Sequence, residues 1–172
     1  MPLSPSPLQA LPPNFSSSEF RNALGMFATG VTIVTARAQD GTLVGLTANS
    51  FNSVSLSPPL VLWSLARAAG SMAAFSAGSH YAINILSAEQ QDLARQFAAR
   101  DGDRFAHVQF MPGAGGAPLI AGAVATFECF NRSRYEEGDH VIFVGEVERC
   151  HHQPGASPLL FHGGRFYSEH PL

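Results

Sequence analysis

The sequence predicts a single, mainly β domain in which antiparallel strands form a barrel with helices inserted between them. Three observations predict this fold class. The chain has 172 residues, 45% of them apolar, which is enough to build one core. About seven or eight segments carry strand patterns, and two or three carry helix patterns. The connections between neighbouring strands are turns that are too short for parallel crossovers.

Residues 1–15 are predicted to be a flexible, proline-rich tail, and residues 16–172 to be the domain. Residues 1–14 contain five prolines and no basic residue, so they lack the charged start and the apolar segment of a signal peptide. Two cysteines, Cys129 and Cys150, are too few for a disulfide scaffold. We therefore expect a cytoplasmic protein in which both thiols are reduced.

A short amphipathic helix is predicted to start the domain after Ser16, where serine and glutamate side chains suit a capped first turn. Its apolar residues recur at helical spacing: Phe20, Ala23, Leu24 and Phe27. We expect the helix to end at Thr29 and Gly30, where the first strand pattern begins.

Four strands are predicted next, because their residues are β-branched or alternate between apolar and small polar side chains. Asp40 and Gly41 supply a hairpin turn between the first two strands, and Pro58 with Pro59 closes the third. The four strands cover residues 31–36, 43–48, 51–57 and 60–65, and they are followed by a short helix over 70–77 and a strand over 81–86.

A further helix is predicted over residues 88–99. Ser87 and Gln90 form a weak capping box at its start. The apolar residues Leu93 and Phe97 are expected to face inward.

The rest of the chain, from residue 100 onward, is predicted to begin with a loop and to end in strands. Residues 100–118 are polar and rich in glycine and proline, which indicates a long surface excursion. Two strands over 123–137 and 140–152 flank a turn at 137–139. We expect a final short strand within residues 159–167.

Charged side chains are scarce and unevenly placed. All ten basic residues are arginine, which excludes a Schiff-base lysine and a Walker-type phosphate loop. The arginines are scattered and the net charge is -3, so we expect no nucleic-acid partner. Residues 41–66 carry no charged residue and no histidine, but Pro58, Pro59 and many Asn and Ser residues argue against a membrane span.

Several common catalytic motifs are missing from the sequence. It has no GxGxxG after a strand, no GxSxG and no HExxH, which argues against a dinucleotide-binding βαβ unit and the usual hydrolases. Asp139 and His140 are adjacent, and neighbours on a strand point to opposite faces, so we expect no self-contained dyad. The consecutive residues 150–152 (Cys-His-His) cannot converge on one ion, so we expect no metal site.

The segment over residues 45–64 is the strongest candidate for a binding site. It combines backbone and hydroxyl donors with apolar walls, a lining that suits an aromatic heterocycle bearing carbonyls and ring nitrogens. The alternative is two ordinary barrel strands whose small residues face a crowded neighbour. Gly70 and Ser71 precede a short helix whose free N–H groups would suit a phosphate, and Arg67 is close in sequence.

The order of several motifs resembles the short-chain flavin reductases, the small reductase components of two-component flavin-dependent monooxygenases. The likeness extends from Phe20 to Tyr167, and its most specific parts are the TANSF…SLSPPLV block and the GDH…F.G.V hairpin. The motifs are GMFATGVTIVTA, GLTANSFNSVSLSPPLVLWS, YAINIL, QDLARQF, EGDHVIFVGEVE and LLFHGGRFY.

This resemblance implies an antiparallel Greek-key split β-barrel of the FMN-binding type, forming a homodimer. It implies that NADH or NADPH reduces FMN or FAD, and that the reduced flavin diffuses to a partner monooxygenase. His140 would position the nicotinamide, with help from Tyr167. Gln96 stands where some relatives have arginine. By position, the flavin-binding residues are Leu43, Val44, Gly45, Leu46, Thr47, Asn49, Ser50, Phe51, Ser64, Leu65, Ala66, Arg67, Gly70, Ser71, Gln96 and Phe97.

The residues themselves agree with this chemistry. Hydride transfer between two cofactors needs no side-chain nucleophile, because the cofactors carry the reaction and the protein aligns them. Uncharged donors such as Asn49 and Ser50 suit the negative charge of a reduced flavin ring. Three alternatives remain open: a flavin carrier or sensor without nucleotide turnover, an oxidase of the same barrel type acting on a phosphorylated vitamin, and a barrel without a ligand. The oxidase ranks lower, because its substrate phosphate would need clustered arginines.

Overall fold

The computed structural model describes residues 10–172, so most of the predicted tail over 1–15 lies outside the described residues. Three α-helices are α1 (Ser17–Gly25), α2 (Met72–Ala77) and α3 (Gln91–Ala98). The strands are β1 (Thr29–Gly30), β2 (Thr32–Arg37), β3 (Leu43–Ala48), β4 (Asn52–Leu56), β5 (Pro59–Ala66), β6 (His80–Ile85), β7 (Phe110–Pro112), β8 (Pro118–Ile120), β9 (Ala125–Glu137), β10 (His140–His152), β11 (Leu160–His162) and β12 (Arg165–Tyr167). Short 3-10 turns lie at Ala88–Gln90 and Ala114–Gly116. None of the helices described is long and apolar enough to cross a membrane.

The main sheet has seven strands in the order β3-β2-β6-β9-β10-β5-β4, and every pair is antiparallel. Its two edge strands, β3 and β4, are consecutive in the chain and are joined only by residues 49–51. The two edges must therefore lie close together, so the sheet curls into a barrel with an unpaired seam. The chain crosses from β5 to β6 without pairing them, as in a Greek key. The predicted antiparallel split barrel is confirmed.

The barrel interior is packed with aromatic side chains. Trp63 stacks on Phe143 with ring centroids 4.9 Å apart and meets Phe75 and Tyr81 edge-on. Trp63 and Phe143 face inward because side chains alternate between the two faces of β5 and β10, and one face of each strand is buried. Gly145 is required beside them, because a Cβ there would lie 2.9 Å from Cys129 Cβ.

A second core lies outside the barrel, between the sheet and α3. Phe97 is fully buried and Leu93 is partly buried there, as predicted. The Phe97 ring approaches Gly45 of β3 so closely that a Cβ on Gly45 would lie 2.7 Å from it. The small residue thus lets α3 support β3 from outside, while Val44 and Leu46 pack into the barrel.

Helix α1 forms after Ser16 as predicted and its capping box is complete, but it ends at Gly25, several residues before the expected Thr29. The Glu19 N–H donates to Ser16 Oγ at 3.2 Å, and the Ser16 N–H donates to the Glu19 carboxylate at 2.7 Å. None of its residues is buried by this chain. Phe20 and Leu24 of its apolar stripe are more than half exposed.

Two expectations about the loops were wrong in part. Residues 110–118 lie largely at the surface, but they are not an irregular loop, because β7 pairs with β8 and buried polar groups hold β8 against the sheet. Thr35 Oγ1 donates to the Pro118 carbonyl at 2.6 Å, and the Ile120 N–H donates to Asn84 Oδ1 at 2.9 Å. The final segment is a hairpin, β11 and β12, rather than one strand, because two glycines with positive φ make its turn.

Candidate functional site

The free edge of β3 is the main feature of the candidate site. Leu43, Gly45 and Thr47 direct their backbone groups away from β2, because antiparallel pairs alternate between bonded and non-bonded positions. Two contacts show which residues of β3 are bonded to β2 and which are not. The Ala38 N–H donates to the Thr42 carbonyl at the hairpin, and the Gly45 carbonyl accepts from Arg104 Nη1 at 2.8 Å. No described strand pairs with this edge. A flat ligand can therefore hydrogen-bond to the backbone.

One end of this edge opens into a cleft of about 390 Å³, here called the β3 cleft. It brings the predicted residues of β3 together with the predicted pair before α2, and it adds a loop that sequence analysis missed. The lining residues are Leu43, Val44, Gly45, Gly70, Ser71, Arg100, Gly102, Asp103, Arg104 and Phe105.

The missed loop supplies the cations of the β3 cleft. Arg104 is fully engaged, since its guanidinium also donates to the Ala99 carbonyl at 2.7 Å. Arg100 is exposed and forms no ion pair within residues 10–172. Ser71 makes no side-chain cap to α2, so its hydroxyl is also free for a ligand. Two arginines within a Gly-rich stretch were the available sequence signal for this loop.

The other end of the β3 edge meets a smaller cavity of about 220 Å³, here called the seam cleft. The predicted residues Asn49 and Phe51 line it, together with residues 27–30, which sequence analysis did not select. Asn49 is exposed. Phe51 is held by an aromatic contact with Phe127, at 5.5 Å between centroids.

Three predicted residues near the seam use their polar groups within the protein. Ser50 Oγ accepts the Ser64 N–H at 2.9 Å, which ties the seam to β5. Thr47 Oγ1 donates to the Ala94 carbonyl of α3 at 2.6 Å. The groups left available along β3 are therefore backbone groups and the Asn49 amide. Leu46 and Leu65 contribute only to the barrel core.

Gln96 and Phe97 lie behind the β3 cleft and do not line it. Gln96 Nε2 donates to the carbonyls of Arg104 and Ala106, at 2.8 and 3.0 Å, and so holds the arginine loop. Phe97 is in the second core. Tyr167 lies in the outer strand of the small sheet β1-β11-β12 and lines neither cleft.

A group of charged residues that lines neither cleft lies at the turn between β9 and β10 and at the end of β5, here called the hairpin rim: Arg67, Glu136, Glu137, Asp139 and His140. His140 begins β10 opposite Ala66. Its Nδ1 lies 2.7 Å from Asp139 Oδ1. The expectation that these two residues would not pair was wrong, because Asp139 lies in the turn after Gly138, where strand alternation does not apply.

The contact with His140 shifts the pKa of Asp139. The hydrogen bond between the two side chains, reinforced by their electrostatic attraction, lowers the pKa of Asp139 below its usual value. The Arg67 N–H donates to the Asp139 carbonyl at 2.9 Å, and Arg67 Nη2 lies 3.5 Å from Glu136 Oε2. Arg67 is therefore on the rim beside His140 and does not line the β3 cleft.

The family match defines the class of this open antiparallel barrel as a flavin reductase-like domain. The sequence family described as "Flavin reductase like domain" matches residues 24–170. The chain belongs to this family.

Named relatives agree with this assignment. The FMN reductase (NADH) SmoA of Agrobacterium fabrum is 47% identical over 156 residues, covering 91% of this chain and 88% of that protein. The reductase component of a flavin-dependent trigonelline monooxygenase from Acinetobacter baylyi is 42% identical over 87% of this chain, which spans only 48% of that longer protein. The Streptomyces globisporus NADH:FAD oxidoreductase SgcE6, solved with NAD and FAD fragments, superposes with a TM-score of 0.85. It is 44% identical, and the match covers 90% of this chain and 93% of that chain.

The donors of this chain fit a flavin nucleotide. The ring has carbonyl oxygens and an N–H along one edge, and the free backbone groups of β3 together with the Asn49 amide offer both donors and acceptors to it. The ribityl phosphate needs cationic or hydroxyl donors, and the β3 cleft offers Arg100 and Ser71.

Proposed function

We propose that this protein is an NAD(P)H:flavin oxidoreductase that reduces FMN or FAD. The observation that carries the proposal is the free backbone edge of β3. This edge lies between the β3 cleft, which contains Arg100, and the seam, where Ser50 is bonded to β5. A strand edge of this kind suits a planar ligand with alternating donors and acceptors. The family and the NADH-dependent relatives support the same activity.

Each part of the site has a separate task in binding the flavin. When bound, the flavin accepts a hydride from the nicotinamide of NADH or NADPH. The β3 backbone and Asn49 hold the ring edge and favour the negative charge that it gains. Arg100 and Ser71 bind the phosphate end. Gln96, Phe97 and Arg104 keep the strand and the loop in place.

His140 is assigned to position the nicotinamide. Asp139 accepts a hydrogen bond from the Nδ1–H of His140, which leaves Nε2 as the atom that faces an incoming nucleotide. A fixed imidazole holds one planar ring against another, which is a proximity effect and requires no proton transfer from His140. Tyr167 is the second predicted contact for the nucleotide. It lines neither cleft of the single chain. We therefore propose that Tyr167 contacts the nucleotide only in the homodimer or when the nucleotide is bound.

We further infer that the reduced flavin leaves to serve a partner monooxygenase. The relative from Acinetobacter is named as the reductase component of such an enzyme, and this supports the inference. Two unpaired cysteines, Cys129 and Cys150, are in keeping with a reducing, cytoplasmic location.

A homodimer is also proposed. Helix α1 buries none of its residues, and a helix of nine residues is marginal in water without packing. Its apolar stripe, and the exposed Val54 and Leu56 of the edge strand β4, suit coverage by a second copy. Sedimentation equilibrium of the full chain tests this: we expect twice the monomer mass, and the monomer mass would contradict it.

The deciding experiment for the activity is a steady-state assay at 340 nm. The purified protein is mixed with FMN, FAD or riboflavin and with either NADH or NADPH, and nucleotide consumption is followed. We expect turnover with at least one pair. If a flavin binds but neither nucleotide is consumed, the protein is a carrier or sensor instead.

A further inference from the structure

A further cavity lies near the end of the β9–β10 hairpin that is remote from His140. It has a volume of about 560 Å³ between the β7–β8 hairpin and strands β9 and β10, and it is here called the outer groove. It shares no lining residue with the β3 cleft or the seam cleft, and none with the surface proposed for the homodimer. The outer groove is therefore a separate candidate for ligand binding. Its walls include Phe110, Met111, Leu119, Ile120, Glu128 and Arg149.

A β-bulge brings two opposite charges together in the outer groove. The β9–β10 ladder skips Glu148, so Arg149 stands opposite Glu128. A regular ladder would place Glu148 there and set two carboxylates face to face, which is unfavourable. Glu148 instead pairs with the imidazole of His80, with 3.3 Å between Oε2 and Nε2. The bulge thus supplies a cation and a carboxylate to the same wall of the groove.

Glu128 is nearly enclosed but only partly satisfied. Its side chain is 13% exposed. Oε2 accepts the Ala114 N–H at 2.6 Å and lies 3.6 Å from Arg149 Nη1. Within residues 10–172 no protein group donates to Oε1, and that oxygen is not sealed from solvent. A carboxylate has about four acceptor positions, so Glu128 can accept further hydrogen bonds from a ligand in the groove.

Arg149 is available to an anion at the same place. Its side chain is 72% exposed, and its ion pair with Glu128, at 3.6 Å, is too long for a direct hydrogen bond. Across the described part of the chain it forms no other ion pair. An exposed pair of this length is weak. A ligand carboxylate can therefore compete for the guanidinium.

The rest of the outer groove is largely apolar. Phe110 and Met111 of β7 are large hydrophobic side chains, yet they are 37% and 63% exposed. Leu119 and Ile120 of β8 line the same cavity. A cavity of several hundred cubic ångströms with apolar walls and a few convergent polar groups is the usual form of a small-molecule site.

We propose that the outer groove binds a small zwitterion with an apolar side chain, such as an apolar or aromatic α-amino acid. Glu128 receives the ammonium group, Arg149 receives the carboxylate, and the wall formed by β7 and β8 covers the side chain. The ligand places two opposite charges against a complementary pair on neighbouring strands, which an amine or a carboxylate alone cannot do. The site is independent of the proposed function, because it shares no residue with the flavin site.

The two charges are expected to contribute unequally. Glu128 is shielded from water, so its charge-assisted hydrogen bond should contribute about tenfold in affinity. Arg149 is exposed, and water weakens its attraction for the ligand carboxylate, so it should contribute about threefold.

The test is a calorimetric titration of the full chain with L-phenylalanine, for which we expect saturable binding. Two analogues separate the charges of the ligand. 2-Phenylethylamine lacks the carboxylate and should bind about threefold more weakly, and 3-phenylpropionate lacks the ammonium group and should bind about tenfold more weakly. No saturable binding of L-phenylalanine, or equal binding of either analogue, would overturn the proposal.

Variants assign the two contacts. Glu128→Gln should weaken L-phenylalanine binding by about tenfold, and Arg149→Gln by about threefold. In Arg149→Gln, L-phenylalanine and 2-phenylethylamine should bind equally, because the carboxylate has lost its partner. The matched controls are Arg132→Gln and Glu146→Gln, which break a 2.7 Å ion pair on the same two strands outside the groove and should change nothing. Native affinity in both groove variants, or an equal loss in the controls, would contradict the assignment.

A titration with FMN present separates the outer groove from the flavin site. An aromatic amino acid can also lie on an empty β3 edge, where FMN would displace it. We expect the same dissociation constant for L-phenylalanine with and without FMN, and competition between them would place the amino acid at β3 and refute the proposal. A protein that binds L-phenylalanine as expected but binds no flavin would retain this site and lose the proposed function.

Discussion

His140 Nδ1 and Asp139 Oδ1 are 2.7 Å apart at the start of β10, in a turn whose backbone is bonded to Arg67. The carboxylate engages Nδ1 and leaves Nε2 as the imidazole nitrogen available to the proposed nucleotide. The contact is exposed, so its role lies in orientation and not in stability.

Removing this contact should affect the nucleotide and spare the flavin. We predict that His140→Ala lowers kcat/KM for NADH by about tenfold or more, because the side chain that aligns the nicotinamide is lost. Asp139→Asn should produce a smaller loss of the same kind. Flavin affinity, measured by quenching of Trp63 emission, should be retained in both. Unchanged NADH kinetics in His140→Ala would remove His140 from the mechanism.

The lowered pKa of Asp139 gives this contact a defined pH range. Above the ordinary value of about 3.9 the Asp139 carboxyl is ionised and its hydrogen bond with His140 is fully present. The bond is lost as the pH falls through the lowered pKa. We expect the Asp139 carboxyl carbon to titrate by NMR below that ordinary value in the native protein, and closer to it in His140→Ala. Identical titrations would show that the pair does not form in solution.

Arg100 should distinguish flavins that carry a phosphate from those that do not. We predict that Arg100→Gln raises the dissociation constant for FMN by about tenfold, because one charge-assisted hydrogen bond is lost. Riboflavin, which has no phosphate, should bind the variant and the native protein equally. Arg95→Gln on α3 is the control, since Arg95 lies over the Phe166 ring outside the cleft. An equal loss for both flavins would place Arg100 elsewhere in the site.

The packing of Phe97 on Gly45 should make any side chain at that position destabilising. A Cβ at this position lies 2.7 Å from the Phe97 ring, so Gly45→Ala should lower the free energy of unfolding by about 1–3 kcal/mol. Gly30→Ala is a suitable control, because no atom lies within 4 Å of a Cβ built there. Thermal denaturation of the two variants measures the difference, and equal melting temperatures would show that α3 yields to the added methyl group.

The two thiols should differ in reactivity. Burial, reinforced by the charges of Glu148 and Glu128, raises the pKa of the Cys129 thiol to about 12, so it stays protonated at neutral pH. Cys150 is exposed. We expect a thiol reagent at pH 8 to modify Cys150 but not Cys129 in the native protein, and to modify both residues after denaturation. Modification of Cys129 without unfolding would show that the barrel opens readily.

Most of the barrel was accessible to sequence analysis because its strands alternate. Val61, Trp63 and Leu65 follow the pleat of β5, and their burial is what the period of two predicts. The short strand β8 escaped this approach, because Thr35 and Asn84, far away in sequence, hold it in place. Such long-range polar contacts leave no local pattern.

The candidate site was only partly accessible in the same way. Resemblance directs attention to β3, the seam and His140; β3 and the seam border the two clefts, whereas His140 lies on the hairpin rim and lines neither. It could not show that Gln96 serves the arginine loop, because the carbonyls it binds belong to a segment that looked like an ordinary excursion. The pairing of Asp139 with His140 was also missed, since a turn was treated as part of a strand.

The open edge of β3 also bears on how the protein behaves in the absence of its ligand. Unpaired N–H and C=O groups on an edge strand are a template for a strand from another molecule. Arg104 occupies the Gly45 carbonyl and the arginine loop covers one end, but the backbone of Thr47 has no strand beside it. A ligand lying along this edge would therefore act as a guard against aggregation, and the ligand-free chain would be the form most prone to self-association during purification and storage.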